Sequence, residues 1–126
     1  MRRSIGRGRR RGSSSRGAAS FKARVLAVLA DIPEGQVTTY GIIGRHLRGT
    51  ARQVAFVLAR LTAQESSRLP WFRVVAAGGV VSTTKLGAVG RRQIERLRAE
   101  GVGVTPRNKV EDFNRIAWTP RQGVGR

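Results

Sequence analysis

The chain has 126 residues, enough for one domain with a modest core, and its 25 lysines and arginines outweigh 7 acidic residues to give a formal net charge of +18. An excess of this size predicts a polyanionic partner, with nucleic acid first because arginine pairs with phosphate; the alternative is a charge that only keeps the protein in solution. The absence of cysteine excludes disulfides, thiol redox chemistry and cysteine-ligated metals.

Residues 1 to about 19 form a low-complexity segment of arginine, glycine and serine. With almost no apolar side chain, this segment cannot bury enough surface to offset the entropy of ordering it, so we predict that it is disordered. Its charge suggests a basic arm that adds sequence-independent, salt-sensitive affinity for phosphates. The alternative is an extension without function, or a misassigned start codon.

The folded part is predicted to span residues 20–118, followed by a short C-terminal tail over residues 119–126. Ser20 is a suitable N-cap for an amphipathic helix over residues 21–30, in which apolar residues recur at helical spacing. The following Pro-Glu-Gly sequence at residues 33–35 has the composition of a turn and ends that helix.

Thr38 or Thr39 can cap a second, short helix that carries Tyr40. Gly49 then ends the second helix, and Thr50 can cap a third helix whose arginines face solvent. Two short helices joined by a tight turn that contains glycine are typical of a helix-turn-helix, although most helical hairpins of this kind bind nothing.

The second half of the chain predicts a small β element and one more helix. Residues 69–75 are prone to extended structure, and Gly78-Gly79 can turn them back into Val80-Val81 as a small hairpin or wing. A helix is predicted over residues 89–100, after which an apolar tail up to residue 118 packs back on the core. The expected fold class is therefore mainly α with a small β-hairpin, a winged-helix-like helix-turn-helix domain.

Three blocks of sequence, in this order and spacing, carry a resemblance to a known family. They are residues 32–41 (IPEGQVTTYG), residues 51–55 (ARQVA) and residues 70–75 (PWFRVV). Together they resemble the DNA-binding domain of the alkyltransferases that repair O6-alkylguanine. Any one block alone would be weak, whereas the three together are specific.

The third block also shows what this chain lacks. The repair enzymes read Pro-Cys-His-Arg-Val there, and this chain has Trp71 and Phe72 in place of the alkyl-accepting cysteine and its activating histidine. The tryptophan resembles that of the alkyltransferase-like proteins, which bind the lesion without removing it. The resemblance therefore implies a DNA-damage sensor without enzymatic activity, which flags O6-alkylguanine for nucleotide excision repair and needs no cofactor.

The resemblance also implies roles for individual residues. An arginine of the recognition helix fills the gap left by the flipped nucleotide, and Arg52 stands at the matching position. Tyr40 matches the tyrosine that crowds the phosphate of that nucleotide, and Trp71 would line the pocket that receives its base. Arg73 would order the pocket locally. The expected DNA- and lesion-binding residues are Thr39, Tyr40, Ala51, Arg52, Gln53, Ala55, Phe56, Pro70, Trp71, Phe72, Arg73 and Val74.

Several positions depart from the family pattern. Phe56 replaces a glycine of the recognition helix, and Phe72 removes a hydrogen-bonding group from the expected pocket floor. Glu100 matches the glutamate that partners the missing histidine, so we expect it to have lost that partner. Thr83 and Thr84 fall where the enzymes carry a tyrosine at the pocket rim.

Two alternatives stay open at this point. The chain could be a general basic DNA-binding protein, architectural or regulatory, that kept the fold and lost lesion specificity. An active alkyltransferase would need an acceptor other than cysteine, and the single histidine, His46, excludes a histidine pair or a metal site built on one. We expect a monomer in the cytoplasm, associated with the nucleoid, that binds double-stranded DNA, preferably carrying O6-alkylguanine, with nucleotide excision repair proteins as candidate partners. No apolar run is long enough to span a membrane, and no apolar block follows the N-terminal arginines.

Overall fold

The computed structural model describes residues 19–82 and 87–121. In these ranges two short strands, β1 (Thr38–Thr39) and β2 (Val74–Val75), pair in parallel, with Thr38 opposite Val74 and Thr39 opposite Val75. Short 3-10 helices cover Trp71–Arg73 and Ala77–Gly79. The α-helices of the described ranges are α1 (Phe21–Asp31), α2 (Tyr40–His46), α3 (Ala51–Ala59), α4 (Ala63–Arg68), α5 (Ala88–Ala99) and α6 (Phe113–Ile116).

The mainly helical fold class with a small β element is confirmed. The predicted disordered arm lies outside the described residues apart from Ala19, as do Thr83 and Thr84 of the expected pocket rim. None of the described helices combines the length and the apolar character needed to cross a membrane.

The hydroxyl caps predicted for the first three helices are confirmed. Ser20 Oγ accepts a hydrogen bond of 3.1 Å from the amide of Ala23 at the start of α1. Of the two candidates for α2, Thr39 is the cap, and its hydroxyl accepts from the amide of Ile42 at 3.0 Å. Each cap supplies a partner to an amide that the helix itself leaves unpaired, so short polar residues fix where these helices begin.

Helices α2 and α3 make backbone contact, which forms the helix-turn-helix. A methyl group built on Gly44 would lie 2.7 Å from the carbonyl carbon of Thr50 and 2.8 Å from its oxygen. The turn between the helices closes with a hydrogen bond of 2.7 Å from the Gly49 amide to the Gly44 carbonyl. Only glycine at position 44 leaves room for this approach.

The buried apolar residues form two clusters. The first, which joins α1, α2 and α3, contains Val25, Val28, Leu29, Ile32, Ile43, Leu47, Val54 and Val74. The second, which joins α5 and the C-terminal segment, contains Val37, Phe72, Val75, Val81, Leu97, Val102, Val104 and Val110. Residues 72–75 contribute to both clusters, so this segment links the two halves of the core.

The prediction of an extended segment over residues 69–75 is wrong for most of that length. Trp71–Arg73 forms a 3-10 helix, and only Val74–Val75 is a strand, which pairs with the distant β1. Helix α4, which precedes Pro70, was not predicted; Thr62 and Glu65 form the capping box that starts it. A local pattern of apolar residues does not reveal a long-range strand partner, and six helical residues are too few to show periodicity.

The predicted wing is reduced to a single antiparallel bridge between Ala76 and Val80. Gly78 and Gly79 provide the turn, with φ angles of +75° and +90°. The predicted packing of the C-terminal segment is confirmed: the Trp118 amide donates to the Val37 carbonyl at 2.7 Å.

Two glycines of α2 give a matched stability test. Gly44→Ala should lower the free energy of unfolding by about 1–3 kcal/mol, because the new methyl group meets the backbone of Thr50. Gly41→Ala in the same helix should instead leave the free energy of unfolding unchanged or raise it by up to about 1 kcal/mol. The nearest atom to the new methyl group would be 3.9 Å away, and alanine favours helix over glycine. Urea unfolding followed by circular dichroism measures both, and equal effects would contradict the close helix contact.

Candidate nucleic-acid interface

The first turn of α3 presents polar and small side chains to solvent. Ala51, Arg52 and Gln53 are all exposed. The Gln53 side-chain oxygen accepts from the Thr50 amide at 2.9 Å, and the Thr50 hydroxyl accepts from the Gln53 amide at 3.1 Å. Gln53 is thus committed to the helix cap, whereas Arg52 takes part in none of the ion pairs of the described residues. The first turn therefore offers a cation on a firmly capped helix.

A cavity of about 780 Å³ opens beside α3. Its size lies within the range typical of pockets that hold a small molecule or a single base. Helices α2, α3, α4 and α5 and the 3-10 helix at Trp71 all contribute to its wall. The lining residues are Tyr40, Ala55, Leu58, Ala59, Leu61, Ser66, Ser67, Trp71, Ser82, Val89, Arg92, Gln93 and Arg96.

Tyr40 enters the cavity wall from the first turn of α2. Burial raises the pKa of its hydroxyl, and a hydrogen bond with Ser82 partly opposes this effect. The phenol therefore stays protonated at physiological pH and can donate a hydrogen bond to a phosphate or base oxygen.

Trp71 is held in the wall by its neighbours. Gln93 of α5 donates to the carbonyls of Phe72 and Val74 at 3.0 Å and 2.9 Å, which fixes the backbone that follows the tryptophan. The Phe72 ring packs edge-on against the indole, with centroids 6.0 Å apart and planes at 89°. The hydrogen bonds therefore fix the backbone next to Trp71, and the aromatic contact packs one side of the indole.

Phe72 does not line the cavity. Its side chain is 3% exposed and belongs to the second core cluster. The Arg96 guanidinium lies 4.5 Å from the centre of its ring, and Arg96 does line the cavity. The position that carries an activating histidine in the repair enzymes therefore supports two wall residues here, Trp71 and Arg96, from behind.

Arg73 and Glu100 form an ion pair that ties the segment after Trp71 to the end of α5. Arg73 Nε donates to the two carboxylate oxygens at 2.9 and 3.1 Å, and a terminal nitrogen also donates to this carboxylate. The other terminal nitrogen donates to the Ile32 carbonyl at 2.7 Å, and the Gly35 amide donates to Glu100 at 3.1 Å.

The pair determines the charge state of Glu100. Burial alone would favour the neutral acid, but the hydrogen bonds from Arg73 and Gly35 and the arginine charge outweigh it and lower the pKa of Glu100. Glu100 has lost the histidine, as expected, but its carboxylate is not left without donors, because Arg73 and the Gly35 amide donate to it. Arg73 orders the segment beside the cavity, as its place in the sequence block implied.

The structure divides the expected site residues into three groups. Tyr40, Ala55 and Trp71 meet at the cavity. Ala51, Arg52, Gln53 and Phe56 lie exposed along α3. The remaining residues belong to the supporting scaffold, where Pro70 and Arg73 are half-buried and Thr39, Phe72 and Val74 are buried.

Sequence reasoning missed part of the cavity wall. Gln93 and Arg96 lie in the helix predicted over residues 89–100 but were not expected at a pocket, and Ser82 was not considered. Gln93 carried a usable signal, because a polar residue four positions before the inward-facing Leu97 has to be buried and hydrogen-bonded. The approach of Ser82 to Tyr40 depends on tertiary structure and left no signal. The described residues contain no group of three or more histidine, cysteine or acidic side chains that could hold a metal ion.

Comparison with known proteins identifies the family. The family described as 6-O-methylguanine DNA methyltransferase, DNA binding domain, matches residues 20–102. A DNA base-flipping protein of Escherichia coli (strain K12) is 46% identical over 102 residues, which are 79% of this chain and 74% of that protein. Alkyltransferase-like protein 1 of Schizosaccharomyces pombe is 35% identical over 86 residues, covering 67% of this chain and 78% of that protein.

A solved structure agrees with these relatives. The crystal structure of S. pombe Atl1 in complex with damaged DNA containing O6-carboxymethylguanine superposes with a TM-score of 0.68 at 31% identity, covering 79% of this chain and 95% of that one. The resemblance drawn from the three sequence blocks is confirmed. The chain belongs to the family of the 6-O-methylguanine DNA methyltransferase DNA-binding domain.

Proposed function

We propose that the protein is a non-enzymatic sensor of alkylated DNA. It docks α3 in the minor groove, rotates an O6-alkylguanine out of the duplex and holds the base in the cavity. The observation that carries this proposal is the cavity of about 780 Å³, which lies beside α3 and has both Tyr40 and Trp71 in its wall. The relatives support it, since one is named a base-flipping protein and another is solved on O6-carboxymethylguanine DNA.

Rotation of a nucleotide out of the stack costs a few kcal/mol, and the protein has to supply that energy. Arg52 supplies part of it by filling the vacated space, because a guanidinium is planar, cationic and able to stack on the neighbouring bases. The capping box at Thr50 keeps the start of α3 ordered, so little backbone entropy is lost when Arg52 enters the duplex. Ala51, with its small side chain, allows this turn to approach the groove closely.

The cavity then holds the flipped nucleotide. The indole of Trp71 offers a flat apolar surface to the base, and the neutral phenol of Tyr40 donates to the phosphate or to the base. Arg92 and Arg96 bring positive charge to the same wall, which favours a nucleotide with its phosphate. These contacts are available to a guanine that an alkyl group prevents from pairing normally, so the lesion is the base that flips at least cost.

No alkyl transfer accompanies binding. The sequence has no cysteine to act as acceptor, and Phe72 cannot serve as a base. A bound lesion therefore remains as a stable protein–DNA complex, and we propose that this complex recruits nucleotide excision repair. The folded unit for this function is residues 20–118, and the basic arm adds salt-sensitive affinity for flanking phosphates.

Arg52→Ala should weaken binding to a duplex that carries one O6-methylguanine by at least tenfold, or about 1.4 kcal/mol, with a smaller effect on the undamaged duplex. The control is Arg45→Ala, which removes the same charge from an exposed position in the last turn of α2. The affinity of Arg45→Ala should fall modestly, by the same factor for both duplexes. Fluorescence anisotropy titrations of the parent and both variants measure the affinities for the two duplexes. A matching loss for both variants on both duplexes would contradict the insertion of Arg52 and favour a general DNA-binding protein.

Incubation with an excess of O6-methylguanine duplex should leave the protein mass unchanged, because no thiolate is present to accept the methyl group. Intact-mass spectrometry of the protein and nucleoside analysis of the recovered DNA give two independent readings, with an active alkyltransferase as the positive control. A protein heavier by one methyl group, with loss of the lesion, would overturn the non-enzymatic function.

A further inference from the structure

Phe56 is a large apolar side chain exposed on the helix that we place in the groove. It leaves 57% of its surface exposed, against 41% for Val80 and 38% for Val89, the other large apolar side chains exposed in the described ranges. It lies in the middle of α3, four residues after Arg52. Single apolar side chains are common on protein surfaces, so it is the place of this ring on the helix docked in the groove that makes it a candidate DNA contact.

Arg60 holds the ring of Phe56 in place. Its guanidinium carbon lies 3.5 Å from the ring centroid, and Nη1 donates to the Phe56 carbonyl at 3.4 Å. The stack covers one face of the ring and keeps a positive charge next to it. Phe56 remains more than half exposed with this contact in place, so much of the ring is available to a ligand.

Arg52, Phe56 and Arg60 form one stripe along α3, because residues four apart share a face of a helix. Four residues advance the helix by about 6 Å, so the ring lies about 6 Å beyond Arg52 along the helix. The sequence of α3 contains no acidic residue. Beyond Arg52, which enters the base stack, the stripe presents an apolar ring and then a second cation, which matches the apolar sugar and base edges of a groove followed by one phosphate backbone.

We propose that Phe56 is a second DNA-contacting side chain, an apolar wedge that packs into the minor groove of duplex DNA while Arg60 pairs with an adjacent phosphate. This inference rests on the proposed docking of α3 in the groove. The contact of Phe56 has a different effect from the insertion of Arg52. The ring contacts the duplex beside the flipped nucleotide, so it strengthens binding to damaged and undamaged DNA alike. Phe56 therefore sets the strength of the complex in which the protein searches for lesions, and Arg52 with the cavity sets its preference for the lesion.

The test compares Phe56→Ala, Arg60→Ala and a control, Val80→Ala, which shortens another exposed apolar side chain outside α3. Each full-length variant is titrated with an undamaged duplex and with the same duplex carrying one O6-methylguanine, at several salt concentrations. Circular dichroism and thermal melting verify that each variant is folded, which is expected because the side chains of Phe56 and Arg60 are exposed.

Phe56→Ala should weaken binding to both duplexes by about tenfold, the order expected for loss of one aromatic contact with nucleic acid, and leave the lesion preference and the salt slope unchanged. Arg60→Ala should reduce the slope of log K against log salt by about 0.9, as for one lost phosphate contact. Val80→Ala should bind as the parent does. Unchanged or tighter binding by Phe56→Ala would overturn the proposal, since the ring would then be idle or an obstacle in the groove. A reduced salt slope for Phe56→Ala would also overturn it, because the ring would then act only by placing Arg60.

The outcome is separable from that of the proposed sensor function. The affinity for the undamaged duplex tests the contact of Phe56 with DNA, whereas the ratio of the affinities for damaged and undamaged DNA tests the sensor function. If the parent shows no lesion preference but Phe56→Ala still binds undamaged duplex tenfold more weakly than the parent, the sensor function is refuted and the contact of Phe56 with DNA stands.

Discussion

The site depends on one buried side chain, that of Gln93, which holds the backbone beside Trp71. The carbonyls of Phe72 and Val74 belong to a 3-10 turn and a two-residue strand, and a buried carbonyl without a donor costs about 1–3 kcal/mol. The side chain of Gln93 donates to both. The Arg73–Glu100 ion pair fixes the same segment, residues 72–74, from the end of α5. Helix α5 therefore determines the path of the chain next to Trp71, and Trp71 forms part of the cavity wall.

This arrangement explains how a family that performs chemistry can contain a member that only binds. The resemblance places an acceptor and its activator at positions 71 and 72, and here the first presents an indole to the cavity while the second fills the core. Glu100, which no longer has a histidine to orient, is paired with Arg73 and serves the scaffold. The side-chain hydrogen bonds that hold this segment come from Arg73 and Gln93, outside positions 71 and 72, so they do not depend on which side chains stand at those two positions. The rigid helix-turn-helix and the wall of the cavity are therefore available to a binding function.

The sequence predicted those parts of the fold whose cause is local. The hydroxyl caps at Ser20, Thr39 and Thr50 fix three helix starts through contacts three residues away, and all three were predictable. The family resemblance placed Trp71 at a pocket, and the structure agrees. What the sequence did not reveal depends on distant partners: β2 pairs with a strand some 35 residues earlier in the chain, and Phe72 belongs to the core and not to the pocket floor. The same holds for the contribution of α5 to the cavity, since its arginines at helical spacing look like an ordinary solvated face.

The central claim is that the cavity distinguishes an alkylated guanine from a normal one. A competition titration tests it most directly: a labelled duplex with one O6-methylguanine is challenged, at fixed near-physiological salt, with unlabelled duplexes of the same sequence with and without the lesion. The account predicts that the damaged competitor is effective at a concentration at least tenfold lower, a difference of about 1.4 kcal/mol. Equal competition by the two duplexes would contradict the account and leave a general DNA-binding protein with the fold of a lesion sensor.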